Sequence, residues 1–252
     1  MKLGLIGAGN MASALARGMG RPVLVSDPDE ARAQALAAAL DGEALASNAE
    51  VAERADVVVL CHKPKQLDEV ASELRGLPKA VASILGAVTT ARLEEAYPGV
   101  PVYRFIPNIP AEQRRGVLCY SPGSRAGEGP ERELLELLGR AGTVIPLADE
   151  ALIEPAMAVM SSGVAFVALV AEAFADAGAA HGLERADAVR MAVGTMDGTA
   201  AWAAEHDFDL AGLRERVATP GGVTERGLDA LEERGLRDVC RAAVDAVVEA
   251  TR

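Results

Sequence analysis

The stretch GLIGAGNMASALARGM, residues 4–19, decides the fold. It follows an apolar run at Lys2–Ile6 and leads straight into helical Ala/Leu spacing. That strand–turn–helix setting is the one a dinucleotide-binding fingerprint requires. Gly7 is placed for the tight turn and Gly9 for close approach of a pyrophosphate to the helix N-terminus. Ala12 takes the place of the usual third glycine, a variant that still lets helix and strand pack closely.

Working outward, Pro22–Ser26, Asp56–Cys61, Ala80–Ile84 and Val102–Ile106 are short and rich in Val, Ile and Leu. Such runs suit strands buried on both faces, and with Lys2–Ile6 they alternate with helical stretches such as Asp29–Leu40. The alternation predicts a Rossmann-type, doubly wound parallel α/β sheet over residues 1–150. Beyond that point Glu150–Gly178, Arg185–His206 and Thr224–Thr251 are long, Ala-rich and nearly free of strand signals. They predict an all-α second domain over 151–252. Met157–Ala177 is apolar on nearly every side, so a partner is expected to cover one face, and a homodimer is the simplest arrangement.

Composition narrows the function. Half of the 252 residues are apolar and a quarter charged, as in globular chains. A net charge of −12 argues against a nucleic-acid surface, which needs clustered Lys and Arg. The opening residues do not read as a signal peptide, and no apolar run reads as reaching the roughly 18–20 residues of a membrane span. A cytoplasmic protein without membrane contact is expected. Cys61, Cys119 and Cys240 are odd in number and widely spaced, so neither a disulfide framework nor a metal site follows; they read as small buried hydrophobes.

At the end of the second strand, an acidic residue about 20 positions past the fingerprint would accept a ribose 2′-OH and repel a 2′-phosphate. Asp27 is placed for that, whereas Ser26 and Arg32 could instead face a phosphate, so the choice of dinucleotide stays open. Two further loops, CHKPKQ (61–66) and FIPNIP (105–110), follow strands and should border the cofactor. Pro64, Pro107 and Pro110 end the strands, while Asn108 offers an amide donor and an acceptor. The helical half contains no lysine, and His181 and His206 read as solvated surface residues. His62 adjoins the cofactor loop. With few protein acids available, a reaction needing no strong protein acid fits better; reduction of a cyclic imine qualifies, because a protonated imine already attracts hydride and the protein mainly has to position it.

The last informative stretch is ATPGGVTE, residues 218–225, where two glycines precede a helix start. Glu225 can contribute to the N-terminal cap, and the N–H groups of Gly222, Val223 and Thr224 are expected to point outward together, where an anion could approach; a linker turn also accounts for Pro220.

Taken together, GLIGAGNMASAL, KPKQ, FIPNIP, AFADAG, TMDGTA and VATPGGVTERGLDALEERGLRDVCRAAVDAV resemble the Δ1-pyrroline-5-carboxylate reductase family over nearly the whole chain. The resemblance implies a Rossmann domain followed by a helical domain that interlocks with a second subunit, in a homodimer or a ring of dimers. It implies hydride transfer from NADPH, or less often NADH, to the imine carbon of pyrroline-5-carboxylate, giving L-proline. It carries cofactor contacts onto Gly7, Gly9, Asn10, Met11, Ser26, Asp27, Lys63, Pro64 and Asn108. Gly221, Gly222, Val223 and Thr224 are expected to hold the substrate carboxylate, with Thr224 and Ser162 closest to the chemistry.

The sequence also departs from that family. The usual Ser-Gly-Ser-Gly-Pro-Ala run reads Met160-Ser161-Ser162-Gly163-Val164-Ala165, Ile109 replaces a threonine, and Gly194 stands where glutamine is frequent. Two alternatives therefore stand beside the proline-forming enzyme: a reductase of a related cyclic imino acid, and a nucleotide-binding paralogue without turnover. A β-hydroxyacid dehydrogenase would need a lysine on the second domain, and there is none.

Overall fold

The computed structural model describes Met1–Thr251. The five apolar runs fold as strands because each can be covered on both sides. The full set is β1 (Leu3–Ile6), β2 (Val23–Ser26), β3 (Glu43–Ala44), β4 (Val57–Leu60), β5 (Val81–Ser83), β6 (Val102–Pro107), β7 (Gly116–Pro122) and β8 (Gly142–Pro146). They form one sheet in the order β3-β2-β1-β4-β5-β6-β7-β8. Every neighbouring pair is parallel except β6 with β7, where Phe105 lies opposite Tyr120 in antiparallel register. The expected parallel sheet is present, and beyond its strands β7 reverses direction against β6 while β8 runs parallel to β7.

Six helices sandwich the sheet: α1 (Asn10–Met19), α2 (Glu30–Ala38), α3 (Asn48–Arg54), α4 (Leu67–Glu73), α5 (Thr90–Ala96) and α6 (Glu131–Leu138). Leu15 and Met19 of α1, Leu36 of α2 and Leu134 of α6 pack with Leu5, Val59 and Phe105 on one face. Val51 of α3, Val70 of α4 and Leu93 of α5 pack with Val58, Leu60 and Val81 on the other. Side-chain alternation along β6 sends Tyr103 and Phe105 into the first layer and leaves Arg104 facing the second side. Arg104 is only 1% exposed, and its Nη1 meets the Glu150 carboxylate at 2.8 Å. Glu150 also accepts from the Thr90 amide (2.7 Å) and hydroxyl (2.6 Å). Burial would raise the Glu150 pKa, but the hydrogen bonds from Thr90 and Arg104 outweigh it and hold the carboxyl below its ordinary range.

After β8 the chain is helical: α7 (Ile153–Met157), a π-turn at Ala158–Ser162, α8 (Gly163–Ala180), α9 (Arg185–Glu205), α10 (Leu210–Val217), α11 (Val223–Glu233) and α12 (Leu236–Ala250). The predicted helix over 224–251 is two helices, because Gly235 takes φ +74° between them. By contacts the chain divides into Met1–Ser161 and Ser162–Ala250.

The second unit has little interior of its own. Its α8 and α9 bury only Gly163, Ala171, Ala175, Ala188 and Ala203, and α10, α11 and α12 bury no residue. Val167, Leu169, Phe174, Met191, Val193 and Val239 are exposed. The expectation that no apolar run reaches membrane-spanning length also needs correcting. The continuous helical run Glu150–Ala180 passes that test by length and composition, with only 17% of its apolar window buried. Of the three cysteines, Cys119 is buried and Cys61 half-buried, and burial pushes both thiols up. Cys240, expected to be buried, is exposed on α12.

Candidate active site

The glycine loop joins β1 to α1. Gly7 adopts φ +108°, and a Cβ there would lie 3.0 Å from the Cys61 carbonyl carbon and oxygen, so only glycine lets the loop close on the end of β4. Gly9 caps α1 in an extended conformation without a side-chain cap. A Cβ on Gly9 would meet nothing within 4 Å, which leaves open space in front of the helix N-terminus. The first N–H groups of α1, those of Asn10 and Met11, face that space and have no intrahelical acceptor. An unpaired helix start with an open glycine approach fits a dinucleotide pyrophosphate.

Asp27 directly follows β2 and closes the same loop. Its Oδ2 accepts the Ala8 N–H at 2.7 Å and its Oδ1 the Asp29 N–H at 2.8 Å, while the Gly7 N–H donates to the Ser26 carbonyl at 2.8 Å. Ser26 is buried, and its hydroxyl donates to Asn48 Oδ1 at 2.8 Å. Asn48 in turn donates to Glu73 at 2.7 Å. Sequence reasoning passed over Asn48; the signal was an amide residue directly after the Ser47 cap, which itself accepts the Glu50 N–H.

Lys63 and Pro64 are exposed in the loop after β4, at the start of a short 3₁₀ turn braced by Gln66 Oε1 on the Lys63 N–H at 3.1 Å. His62 Nδ1 faces the Lys63 carbonyl at 2.9 Å, so it carries the hydrogen, and the buried Nε2 has no partner. Burial lowers the His62 pKa, against opposing pulls from the Lys63 carbonyl and Glu73, and so disfavours the charged ring.

Asn108, expected beside the cofactor, is buried and held at both ends of its side chain. Its amide donates to the Met160 carbonyl at 2.8 Å, and its Oδ1 accepts the Val117 N–H at 2.9 Å. Met160 lies in the π-turn, whose wider hydrogen-bond spacing leaves carbonyls available to a side chain. Ser162 is the last residue of that turn and is half-buried.

In the second unit, Gly221 takes φ +73°, a conformation that favours glycine. Its N–H donates to Glu225 Oε2 at 2.6 Å, the capping contribution expected of Glu225. The expectation of three outward N–H groups is reduced to two: the Gly222 N–H turns back to the Thr219 carbonyl at 2.8 Å. Val223 and Thr224 open α11, leaving their N–H groups and the half-buried Thr224 side chain at the helix start, with Val223 87% exposed.

Pyrroline-5-carboxylate reductase of Methanosarcina acetivorans is 32% identical over 99% of this chain and 95% of its own length. The Pseudomonas aeruginosa protein of the same name is 33% identical over 97% and 93%. The chain belongs to the pyrroline-5-carboxylate reductase family. The solved reductase from Coxiella burnetii superposes with a TM-score of 0.92 at 28% identity, covering 99% of this chain and 96% of that one. Residues 150–252 match the family model for pyrroline-5-carboxylate reductase dimerisation. Residues 2–85 match one described as NADP oxidoreductase, coenzyme F420-dependent. An oxidoreductase of this family uses a nicotinamide dinucleotide. The exposed apolar residues of α8 and α9 fall within the dimerisation match, so self-association explains both their exposure and the sparse interior of the second unit.

Proposed function

We infer that this chain reduces Δ1-pyrroline-5-carboxylate to L-proline, as an oxidoreductase acting on a C=N bond with NADPH or NADH. What carries the reading is that family likeness runs through nearly the whole chain, so the dinucleotide loop and the Gly-Gly-Val-Thr loop occur together. The bound dinucleotide supplies the hydride.

The chain's own groups bind and orient. Gly7, Gly9, Asn10 and Met11 form the pyrophosphate seat, Ser26 and Asp27 border the adenosine ribose, and Lys63 and Pro64 line the loop beside it. Asn108 positions the π-turn that carries Ser162. The Val223 and Thr224 N–H groups and the Thr224 hydroxyl hold the substrate carboxylate, with Gly221 and Gly222 shaping that helix start; α11 contributes a favourable partial positive charge. The cyclic imine takes its proton from solvent, so no strong protein acid is required, in keeping with the burial that disfavours a charged His62. The protein works in the cytoplasm as a homodimer, which can build into a ring of dimers.

Purified protein mixed with NADPH or NADH and pyrroline-5-carboxylate tests the reading. Loss of absorbance at the reduced-nicotinamide band with matching proline formation is the expected result. Turnover only on another cyclic imino acid would select the related reductase, and dinucleotide binding without any turnover would select the non-catalytic paralogue.

A further inference from the structure

The surroundings of Asp27 bear on which dinucleotide the site takes. Its carboxylate is fixed at the end of β2 by two backbone donors, the Ala8 N–H of the glycine loop at 2.7 Å and the Asp29 N–H at 2.8 Å. A cleft of about 350 Å³ opens beside it, lined among others by Pro28, Glu30, Gln34, Ala44 and Leu45. That lining has two carboxylates, Asp27 and Glu30, and no cation.

The nearby groups that could receive a 2′-phosphate each have an acidic or amide partner already, the two arginines in exposed pairs. The Ser26 hydroxyl is buried and donates to Asn48. Arg32 Nε pairs with Asp29 Oδ2 at 3.1 Å, and Arg54 is shared between Glu43 and Glu50. A 2′-phosphate brings close to two negative charges, and it needs a cation or several free donors to be held. A ribose 2′-OH needs only an acceptor, which an ionised carboxylate at the end of the second strand supplies.

We propose that Asp27 makes this site selective for NADH over NADPH. The proposal rests on the dinucleotide reading of the glycine loop and deepens it. Asp27 has two roles here: it accepts the ribose hydroxyl, and through Ala8 it fixes the loop that seats the pyrophosphate.

Direct binding titrations of the ligand-free protein, by calorimetry or nicotinamide fluorescence, provide the test without reliance on turnover. NADH is expected to bind at least tenfold more tightly than NADPH. Asp27→Asn keeps an acceptor for the Ala8 N–H while removing the charge, and should bring the two affinities within about threefold of each other. Asp27→Ser, checked for folding by thermal melting, should shift the ratio further toward NADPH. NADPH binding as tightly as NADH to the unaltered protein would overturn the proposal, as would an unchanged ratio in a folded Asp27→Asn variant. Failure of both dinucleotides to bind would overturn the site reading itself, so the two failures are distinguishable.

Discussion

The Asn108 side-chain amide donates to the Met160 carbonyl at 2.8 Å, tying the end of β6 to the π-turn that precedes α8. The same side chain accepts the Val117 N–H, so one residue satisfies two groups 43 residues apart in sequence. Replacing it with Ala would leave a carbonyl and an N–H unpaired in a buried setting. The expected loss is roughly 2–3 kcal/mol, which for a chain of this size lowers Tm by about 5–10 °C. Asn108→Asp keeps the acceptor for Val117 but sets a buried carboxylate against the Met160 carbonyl oxygen, so it should be no more stable than the Ala variant. Thermal unfolding of the three proteins checks the order, and an Ala variant as stable as the parent would show that the staple contributes nothing.

The Arg104–Glu150 pair predicts an acid limb of stability. Because the folded Glu150 carboxyl titrates below its unfolded value, its contribution is fully present above the ordinary carboxylate range. It is lost as pH falls through the lower, folded value. Denaturant midpoints between pH 3 and 6 should fall less steeply toward acid in Glu150→Gln than in the parent. Arg104→Met leaves the carboxylate without its buried partner, at an expected cost of roughly 3 kcal/mol.

Thr224 is the informative position of the second loop. Thr224→Ala removes a hydroxyl from the proposed carboxylate seat and leaves the glycine loop proposed to seat the dinucleotide unaltered. Substrate KM should rise roughly ten- to a hundredfold, equivalent to about 1.5–3 kcal/mol for a hydrogen bond to a charged group. Dinucleotide affinity should stay within about twofold. An equal loss of both would place the loop outside the substrate site.

Self-association should depend on the apolar face of α8. Leu169 and Phe174 are 64% and 54% exposed in the single chain, in a unit whose own interior is almost entirely alanine. Leu169→Glu and Phe174→Lys are expected to give monomers of lower Tm by light scattering and thermal melting. A parent protein that is monomeric at micromolar concentration would contradict the interface.

Much of this was legible in the residues, for definite reasons. The five inner strands carry Val/Ile/Leu runs because both faces are covered, and that makes them stand out. β3 has two residues, and β8 has three exposed positions, so neither carries a buried pattern. β7 holds Cys119 and Tyr120 in a seven-residue run, but its reversed direction depends on pairing with β6, which no local pattern encodes. Cys240 read as buried because α12 is amphipathic, and the single chain leaves that face uncovered. At the site, the glycine positions and the Glu225 cap were readable because they are local. The Asp27–Ala8, Asn108–Met160 and Ser26–Asn48 hydrogen bonds join residues 19, 52 and 22 positions apart, and so could be found only in the fold.

The central claim is imine reduction, and steady-state turnover on Δ1-pyrroline-5-carboxylate measures it most directly. Reduced dinucleotide should disappear in step with L-proline formation, at a rate that saturates with substrate and is weakened chiefly in KM by Thr224→Ala. A well-folded, dinucleotide-binding parent protein that oxidises no cofactor above background with this substrate would contradict the account.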